Sequence, residues 1–155
     1  MCEGNDTVAI LPTGSGKSIC FQVPGLLRGG VCLVVSPLIA LMSDQVSALK
    51  KRGVPAAYIS SDSKKNDVDR ILNNALFGGL KFLYVAPERL KNPVFLARIE
   101  RIDVRTVAVD EAHCISQWGH DFRPAYREIK AIRSFCPKAV WGAYTATATS
   151  DVSND

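Results

Sequence analysis

The sequence predicts an α/β fold of three layers, in which helices cover both faces of a mainly parallel central sheet. Short apolar runs rich in β-branched residues recur along the chain, and they are continuous rather than alternating, as in strands buried on both faces. Helical patterns separate these runs. Regular alternation of strand and helix is typical of an open sheet with right-handed crossovers, whose ligands bind at the carboxyl ends of the strands.

Six runs are the predicted strands. In chain order they are TVAILP from Thr7, VCLVVS from Val31, AAYIS from Ala56, FLYVAP from Phe82, TVAVDE from Thr106 and AVWGAYT from Ala139.

The segment PLIALMSDQVSALKKRG shows the helical pattern between two of these strands. It predicts a helix with a basic last turn and a glycine stop, whose buried side is formed by Leu38, Leu41, Met42 and Leu49. We assign no function to Lys50, Lys51 and Arg52, because a solvated helix end that complements the helix dipole explains them.

Bulk properties indicate one soluble globular domain. The 155 residues are 47% hydrophobic and 22% charged, and the net charge of +4 permits an anionic partner without requiring one. No apolar run approaches the roughly 20 residues of a membrane span, and the start lacks the pattern of a secretion signal. We expect a cytoplasmic protein in a bacterium or a nuclear one in a eukaryote.

The five cysteines never form a C-x-x-C pair, so they suggest neither a disulfide framework nor a zinc site. We expect them to be small buried apolar residues.

The segment TVAILPTGSGKSICF predicts a phosphate-binding loop between a strand and a helix. Gly14 and Gly16 allow the backbone amides to approach an anion, and the following helix adds its positive end. Lys17 would reach the β- and γ-phosphates, and Ser18 would hold Mg²⁺. The loop departs from the usual G-x-x-x-x-G-K-[ST] pattern at one position, because Leu11 replaces the first glycine.

The segment TVAVDEAH predicts the second half of a nucleotide site. An apolar strand delivers Asp110 to its carboxyl end, where the carboxylate can bind a metal, and Glu111 beside it can polarise an attacking water. Acidic residues at such a position can also merely cap a helix, but their combination with Lys17 and Ser18 favours the catalytic interpretation.

Five segments in this order resemble the motifs of RecQ DNA helicases, which are members of the DEAH-box superfamily 2 helicases. They are PTGSGKS, VVSPLIALMSDQV, YVAPERL, DEAHCISQWGHDFRPAY and AYTATAT, and together they cover nearly the whole chain. The resemblance implies a RecA-like P-loop NTPase domain that uses ATP and Mg²⁺ and acts on single-stranded and forked DNA in 3′-to-5′ direction.

The resemblance also implies residue roles. The nucleotide-binding residues would be Thr13, Gly14, Ser15, Gly16, Lys17 and Ser18, with Ser18 and Asp110 on the metal and Lys17, Asp110 and Glu111 in catalysis. Coupling would involve His113, Thr145 and Thr147. DNA contacts would come from Trp118, Phe122, Arg123, Ser36, Pro37, Glu88 and Arg89.

Packing remains an alternative for several of these residues. Trp118 and Phe122 could pack the loop against the sheet instead of stacking on bases, although the resemblance favours DNA. Ser36 with Pro37, and Glu88 with Arg89, could simply form a strand-end turn and a helix start. Cys114 and Ile115 are expected in the core, and Trp141 is expected to pack within a strand.

The resemblance further implies that residues 1–155 are the first RecA-like domain, truncated at both ends. A second RecA-like domain with its arginine finger, an upstream adenine-reading motif, and zinc-binding and winged-helix regions would lie outside this chain. Because an arginine finger is worth roughly 10³ to 10⁵ in rate, the chain alone is expected to hydrolyse ATP barely, if at all. A non-catalytic nucleotide- or DNA-binding module is the main alternative, and an unrelated P-loop kinase or transporter ATPase is a third.

Overall fold

The computed structural model describes residues 1–12, 14, 16–116 and 122–146. Its centre is a six-stranded sheet in which every pair of neighbouring strands is parallel. The strands are β1 (Thr7–Ile10), β2 (Val31–Val35), β3 (Ala56–Ile59), β4 (Phe82–Val85), β5 (Val104–Val109) and β6 (Val140–Thr145). Their order across the sheet is β1-β6-β5-β2-β4-β3, which confirms the predicted α/β class with a parallel sheet.

Five α-helices connect the strands and cover both faces of the sheet. They are α1 (Lys17–Leu27), α2 (Ile39–Lys51), α3 (Lys65–Leu76), α4 (Pro93–Ile99) and α5 (Ile129–Phe135). Three short 3-10 helices follow at Pro87–Lys91, Ala112–Ile115 and Pro124–Glu128. The buried residues form two cores, one between the sheet and α3, α4 and α5, and the other between the sheet and α1 and α2.

The central strands are buried on both faces, as their continuous apolar runs predict. All residues of β2 and β4 are buried, and β5 is buried except at Arg105. These strands carry the polar loops of interest at their carboxyl ends, so the core fixes the position of those loops.

Strand β1 departs from the predicted burial. Val8 and Ile10 are 72% and 52% exposed, so the expectation of burial on both faces is wrong for this strand. In the described chain β1 is an edge strand beside β6, and Val8 lines an open pocket with Arg133 and Trp141, so its side chain is not covered.

Helix α2 has the predicted end but a different buried side. Met42, Val46 and Leu49 are buried, whereas Leu38, predicted to be buried, is 47% exposed because it precedes the helix as its N-cap residue. The exposed basic residues 50–52 and the left-handed Gly53 end the helix as predicted.

The cysteines are all free, but only three of them are buried. Cys32, Cys114 and Cys136 lie in the core, whereas Cys2 and Cys20 are exposed, so the prediction of burial is wrong for these two. Cys2 precedes the first strand, and Cys20 lies on the outer face of α1. Within the described ranges, no helix is long and apolar enough to cross a membrane.

Candidate functional site

The candidate site lies at the carboxyl edge of the sheet, where β1 leads into α1. Gly14 and Gly16 have φ angles of 81° and 80°, in the left-handed region that favours glycine. Gly16 is the N-cap residue of α1, so no side chain caps the helix there and its first amides can receive an anion. The predicted Thr13 and Ser15 lie outside the described residues.

Leu11 stands where the usual motif has its first glycine, and its backbone extends the sheet. Its amide donates to the Thr145 carbonyl at 2.9 Å, which continues the ladder between β1 and β6. The loop therefore starts after Leu11, and a side chain at this position is compatible with the turn that follows.

Lys17 and Glu111, far apart in sequence, meet at this edge. The Lys17 Nζ lies 3.4 Å from Glu111 Oε1, and the two side chains are only 12% and 23% exposed. A cation from the first turn of α1 thus faces the carboxylate that follows β5. The predicted phosphate-binding and water-activating residues are therefore in contact.

Asp110 is buried at the end of β5, with 3% of its surface exposed. Its Oδ1 accepts from the Glu111 amide at 3.0 Å, and its Oδ2 accepts from the Ser36 hydroxyl at 3.5 Å. Burial, and secondly the charge of Glu111, raise the pKa of Asp110, against the lowering effect of these hydrogen bonds and of Lys17. A desolvated carboxylate of this kind gains most from a nearby cation.

Glu111 adopts a strained backbone. With φ 48° and ψ 48° it is the sole non-glycine residue of the described chain in the left-handed region. Such conformations persist where the surrounding structure holds them, and they concentrate at functional sites. No sequence pattern indicated this conformation.

His113 joins the carboxylate to the last strand. Its Nδ1 lies 2.9 Å from the Thr145 hydroxyl and 3.3 Å from Glu111 Oε2. The predicted coupling residues His113 and Thr145 are thus in contact, while Thr147 lies outside the described residues.

Of the predicted DNA-contacting residues, Ser36, Pro37 and Arg123 lie near Asp110 at the same edge. Ser36 is buried and bonded to Asp110, and Pro37 accepts a hydrogen bond from the Arg123 Nη1 at 3.3 Å. The Phe122 ring is covered by the Arg127 guanidinium at 5.3 Å from its centroid. Trp118 lies outside the described residues.

Arg89 and Glu88 differ in their surroundings. The Arg89 guanidinium donates to the carbonyls of Ser60, Ser61 and Ser63, which supports the alternative that it stabilises a turn. Glu88 is exposed. Both positions remain predictions as DNA contacts.

Tyr126 also lies at the site, although no sequence pattern assigned it a role. It is 1% exposed, and its hydroxyl donates to the Asp110 backbone carbonyl at 2.9 Å. Its place at the end of DEAHCISQWGHDFRPAY is the available signal, but only Trp118 and Phe122 among the aromatic residues of that stretch have a predicted role.

The available oxygen donors suit Mg²⁺. This ion prefers hard oxygen ligands and keeps several waters, so it needs only one or two protein ligands. The Asp110 carboxylate and the Ser18 hydroxyl, in the first turn of α1, are of that kind. Accordingly, the described residues contain no cluster of three or more His, Cys, Asp or Glu side chains able to bind a metal by themselves.

Comparisons with known proteins identify relatives along the whole chain. A family model described as DEAD/DEAH box helicase matches residues 1–154. The ATP-dependent DNA helicase RecQ of Bacillus subtilis is 50% identical over 151 residues, which cover 97% of this chain and 26% of the relative. The protein of the same name from Pasteurella multocida is 46% identical, with 94% and 23% covered. The chain therefore spans about a quarter of these relatives.

Solved structures share the fold at low sequence identity. The Hef helicase domain of Pyrococcus furiosus superimposes with a TM-score of 0.74 at 20% identity, covering 99% of this chain and 33% of that one. The helicase Lhr of Mycobacterium smegmatis, solved with single-stranded DNA and AMP-PNP, gives 0.71 at 23% identity, covering 97% and 22%. These likenesses concern the fold alone.

Proposed function

Because the chain belongs to the DEAD/DEAH box helicase family, we propose that residues 1–155 form the first RecA-like ATPase domain of an ATP-dependent 3′-to-5′ DNA helicase of the RecQ type. The observation that carries this proposal is the contact of Lys17 with Glu111 beside the buried Asp110, at the carboxyl edge of a parallel sheet. The high identity to RecQ helicases supports the choice of type.

The loop before α1 would bind the phosphates of ATP. The left-handed Gly14 and Gly16, with Thr13 and Ser15, would turn backbone amides toward the anion, and the start of α1 adds its positive dipole end. Lys17 would move from Glu111 to the β- and γ-phosphates, so nucleotide binding would release Glu111.

Ser18 and Asp110 would hold Mg²⁺, which when bound neutralises phosphate charge. Ser36 supports this role by its hydrogen bond to the Asp110 carboxylate.

Glu111 would orient the attacking water and accept its proton. A general base must lie within hydrogen-bond reach of the water, and the Glu111 carboxylate lies beside Lys17, which would bind the phosphates. His113 contacts both Glu111 and Thr145, so it could transmit a shift at the end of β6, including one at Thr147, to the carboxylate.

Single-stranded DNA would lie across the carboxyl edge of the sheet. Trp118 and Phe122 would stack on bases, which is worth roughly 1–3 kcal/mol per base and needs no particular sequence. Backbone contacts would come from Arg123, and from the loops that contain Ser36 with Pro37 and Glu88 with Arg89. Unwinding of forked DNA would require a second RecA-like domain that closes on the nucleotide.

DNA-stimulated ATP hydrolysis tests the proposal. We would join this chain to the remainder of the Bacillus subtilis RecQ relative, in place of its corresponding segment, and measure ATPase rates with and without single-stranded DNA. The proposal expects stimulation by DNA and loss of that stimulation in Trp118→Ala. Hydrolysis indifferent to DNA would refute the helicase assignment and favour a nucleotide-binding module.

A further inference from the structure

The end of the segment DEAHCISQWGHDFRPAY is tied back to the candidate site by three hydrogen bonds. The Arg123 amide donates to the Cys114 carbonyl at 3.0 Å, and the Arg123 guanidinium donates to the Pro37 carbonyl at 3.3 Å. The third bond runs from the Tyr126 hydroxyl to the Asp110 carbonyl at 2.9 Å. The short helix Pro124–Glu128 is thereby attached directly to the strand end that carries both carboxylates.

The Tyr126 hydroxyl reaches the Asp110 carbonyl from a ring buried in the core. Its ring is buried in the core between the sheet and α5, together with Ile129 and Ile132. The ring thus anchors the residue, and the hydroxyl alone reaches the site.

The carbonyl that Tyr126 binds belongs to the peptide between Asp110 and Glu111. The amide of the same peptide donates to the Asp110 Oδ1 at 3.0 Å, and the next backbone angle is the left-handed φ of Glu111. Both polar groups of this peptide are therefore held by hydrogen bonds directly before the strained residue. Strained backbone conformations of this kind persist where the surrounding structure holds them.

We propose that Tyr126 is a positioning residue for ATP hydrolysis, whose hydroxyl holds the Asp110–Glu111 peptide in the conformation that places the Glu111 carboxylate beside Lys17. This role rests on the proposed function. It makes the helix Pro124–Glu128 a mechanical link, because Arg123 at its N-cap binds the Pro37 loop while Tyr126 within it binds Asp110. A shift of Arg123 on DNA would move the peptide that orients Glu111.

Tyr126→Phe tests this role, because it removes only the hydroxyl and keeps the buried ring. The matched control is Tyr84→Phe, which also removes one buried tyrosine hydroxyl, bonded to the Gln45 and Gln22 side chains. In the fusion with the Bacillus subtilis remainder, Tyr126→Phe should lower the DNA-stimulated kcat about tenfold, the scale of one buried hydrogen bond. The KM for ATP should stay within about twofold in both variants, since neither hydroxyl holds the nucleotide.

A kcat of Tyr126→Phe within about twofold of the unchanged fusion would overturn the proposal, as would an equal fall in Tyr84→Phe. An increase in KM without a change in kcat would also overturn it, because it would indicate a role in binding.

Absence of DNA-stimulated ATPase in the fusion would refute the proposed function itself. Amide hydrogen exchange in this chain tests the positioning role of Tyr126 independently of that result. Tyr126→Phe should accelerate exchange of the Glu111 amide about tenfold relative to Tyr84→Phe, because the peptide loses its restraint. Equal exchange in the two variants would overturn the role of Tyr126.

Discussion

Glu111 carries a carboxylate, which can act as a general base, on a backbone in the left-handed conformation that is unfavourable for residues other than glycine. A non-glycine residue in the left-handed region costs of order 1–3 kcal/mol, which neighbouring contacts must offset. Here the contacts are the Lys17 ammonium on one carboxylate oxygen and His113 near the other. Because these contacts exist only in the folded chain, the same residues that stabilise the turn also set the direction of the carboxylate.

Substitution of Glu111 by Gln should separate nucleotide binding from hydrolysis. The amide keeps the size of the side chain but cannot accept a proton, so turnover should fall at least about 100-fold, the contribution of a positioned general base. Affinity for Mg-ATP should be retained, because the phosphates contact Lys17 and the amides of the loop in the proposed complex. Rates of the fusion protein and equilibrium binding of a fluorescent ATP analogue measure the two effects.

The control is Glu100→Gln, an exposed residue at the end of α4. It should leave both quantities unchanged. Loss of Mg-ATP affinity in Glu111→Gln, with hydrolysis falling only in proportion, would contradict the role of Glu111 as base.

Residues that carry motifs were predictable because chemistry restricts them. A lysine after a glycine loop, and two carboxylates after an apolar strand, are patterns that fit few functions. The structure places Lys17 and Glu111 in contact. Tyr126 could not be assigned in the same way, since its role depends on a hydroxyl reaching one backbone carbonyl in three dimensions. The strain at Glu111 likewise follows from tertiary contacts that no local pattern encodes.

At the scale of elements, the strands of the sheet differ in burial: β2, β4 and β5 are buried on both faces, whereas β1 at the edge is partly exposed. The continuous apolar runs of β2, β4 and β5 predicted burial on both faces correctly. The run of β1 is equally apolar, yet β1 lies at the edge, because strand order depends on which strands pair and not on composition. Edge position is a property that the run alone cannot encode.

Helix α1 shows a second limit of local patterns. It continues through Pro24, whose ring and missing N–H normally interrupt a helix. Tertiary packing supports it there, since a Cβ on the adjacent Gly25 would lie 3.0 Å from both Cys32 and Phe82 on the sheet. At Gly25, helix and sheet therefore approach closely.

Asp6 lies directly before β1 and contacts Trp141 of β6 and Arg133 of α5. The pKa of its carboxylate predicts that the stability of the fold depends on pH. Its Oδ1 accepts from the Trp141 amide at 2.9 Å, and its other oxygen pairs with Arg133. The Trp141 hydrogen bond, more than Arg133, lowers the pKa of Asp6. A carboxylate with a lowered pKa stabilises the fold above its unfolded pKa of about 3.9, and this stabilisation disappears as pH falls through the folded value.

Asp6→Asn should therefore lower the free energy of unfolding by about 1 kcal/mol at neutral pH, a value that allows for the partial exposure of the ion pair. The difference from the unchanged chain should stay constant down to about pH 5 and shrink below about pH 4. Urea unfolding across this range measures it, with the exposed Asp44→Asn of α2 as control. A difference that grows toward acid pH would contradict the assignment.

At the scale of the whole molecule, the exposure of the cysteines indicates how well the two cores exclude solvent. Cys32, Cys114 and Cys136 are buried, whereas Cys2 and Cys20 are exposed. Burial raises the pKa of Cys136 to about 12 and that of Cys32 further, which suppresses their reactive thiolate forms.

A thiol reagent such as dithionitrobenzoate should therefore react rapidly with two cysteines of the folded chain and with all five after unfolding in urea. Absorbance at neutral pH counts the released thiolate directly. Cys2→Ser and Cys20→Ser should each remove one rapid equivalent and leave the slow ones unchanged. Rapid reaction of a third thiol in the folded chain would show that a core opens readily.

The pairing of β1 with β6 has a consequence for how the protein is made. Thr7 lies beside Gly142, so the strand that leads into the phosphate loop finds its partner only near the other end of the described chain. At translation rates of about 5–20 residues per second, β1 waits on the order of ten seconds after its own synthesis before β6 leaves the ribosome. The other strands can pair with one another meanwhile. Among the described strands, β1 is thus the last to gain its neighbour during synthesis.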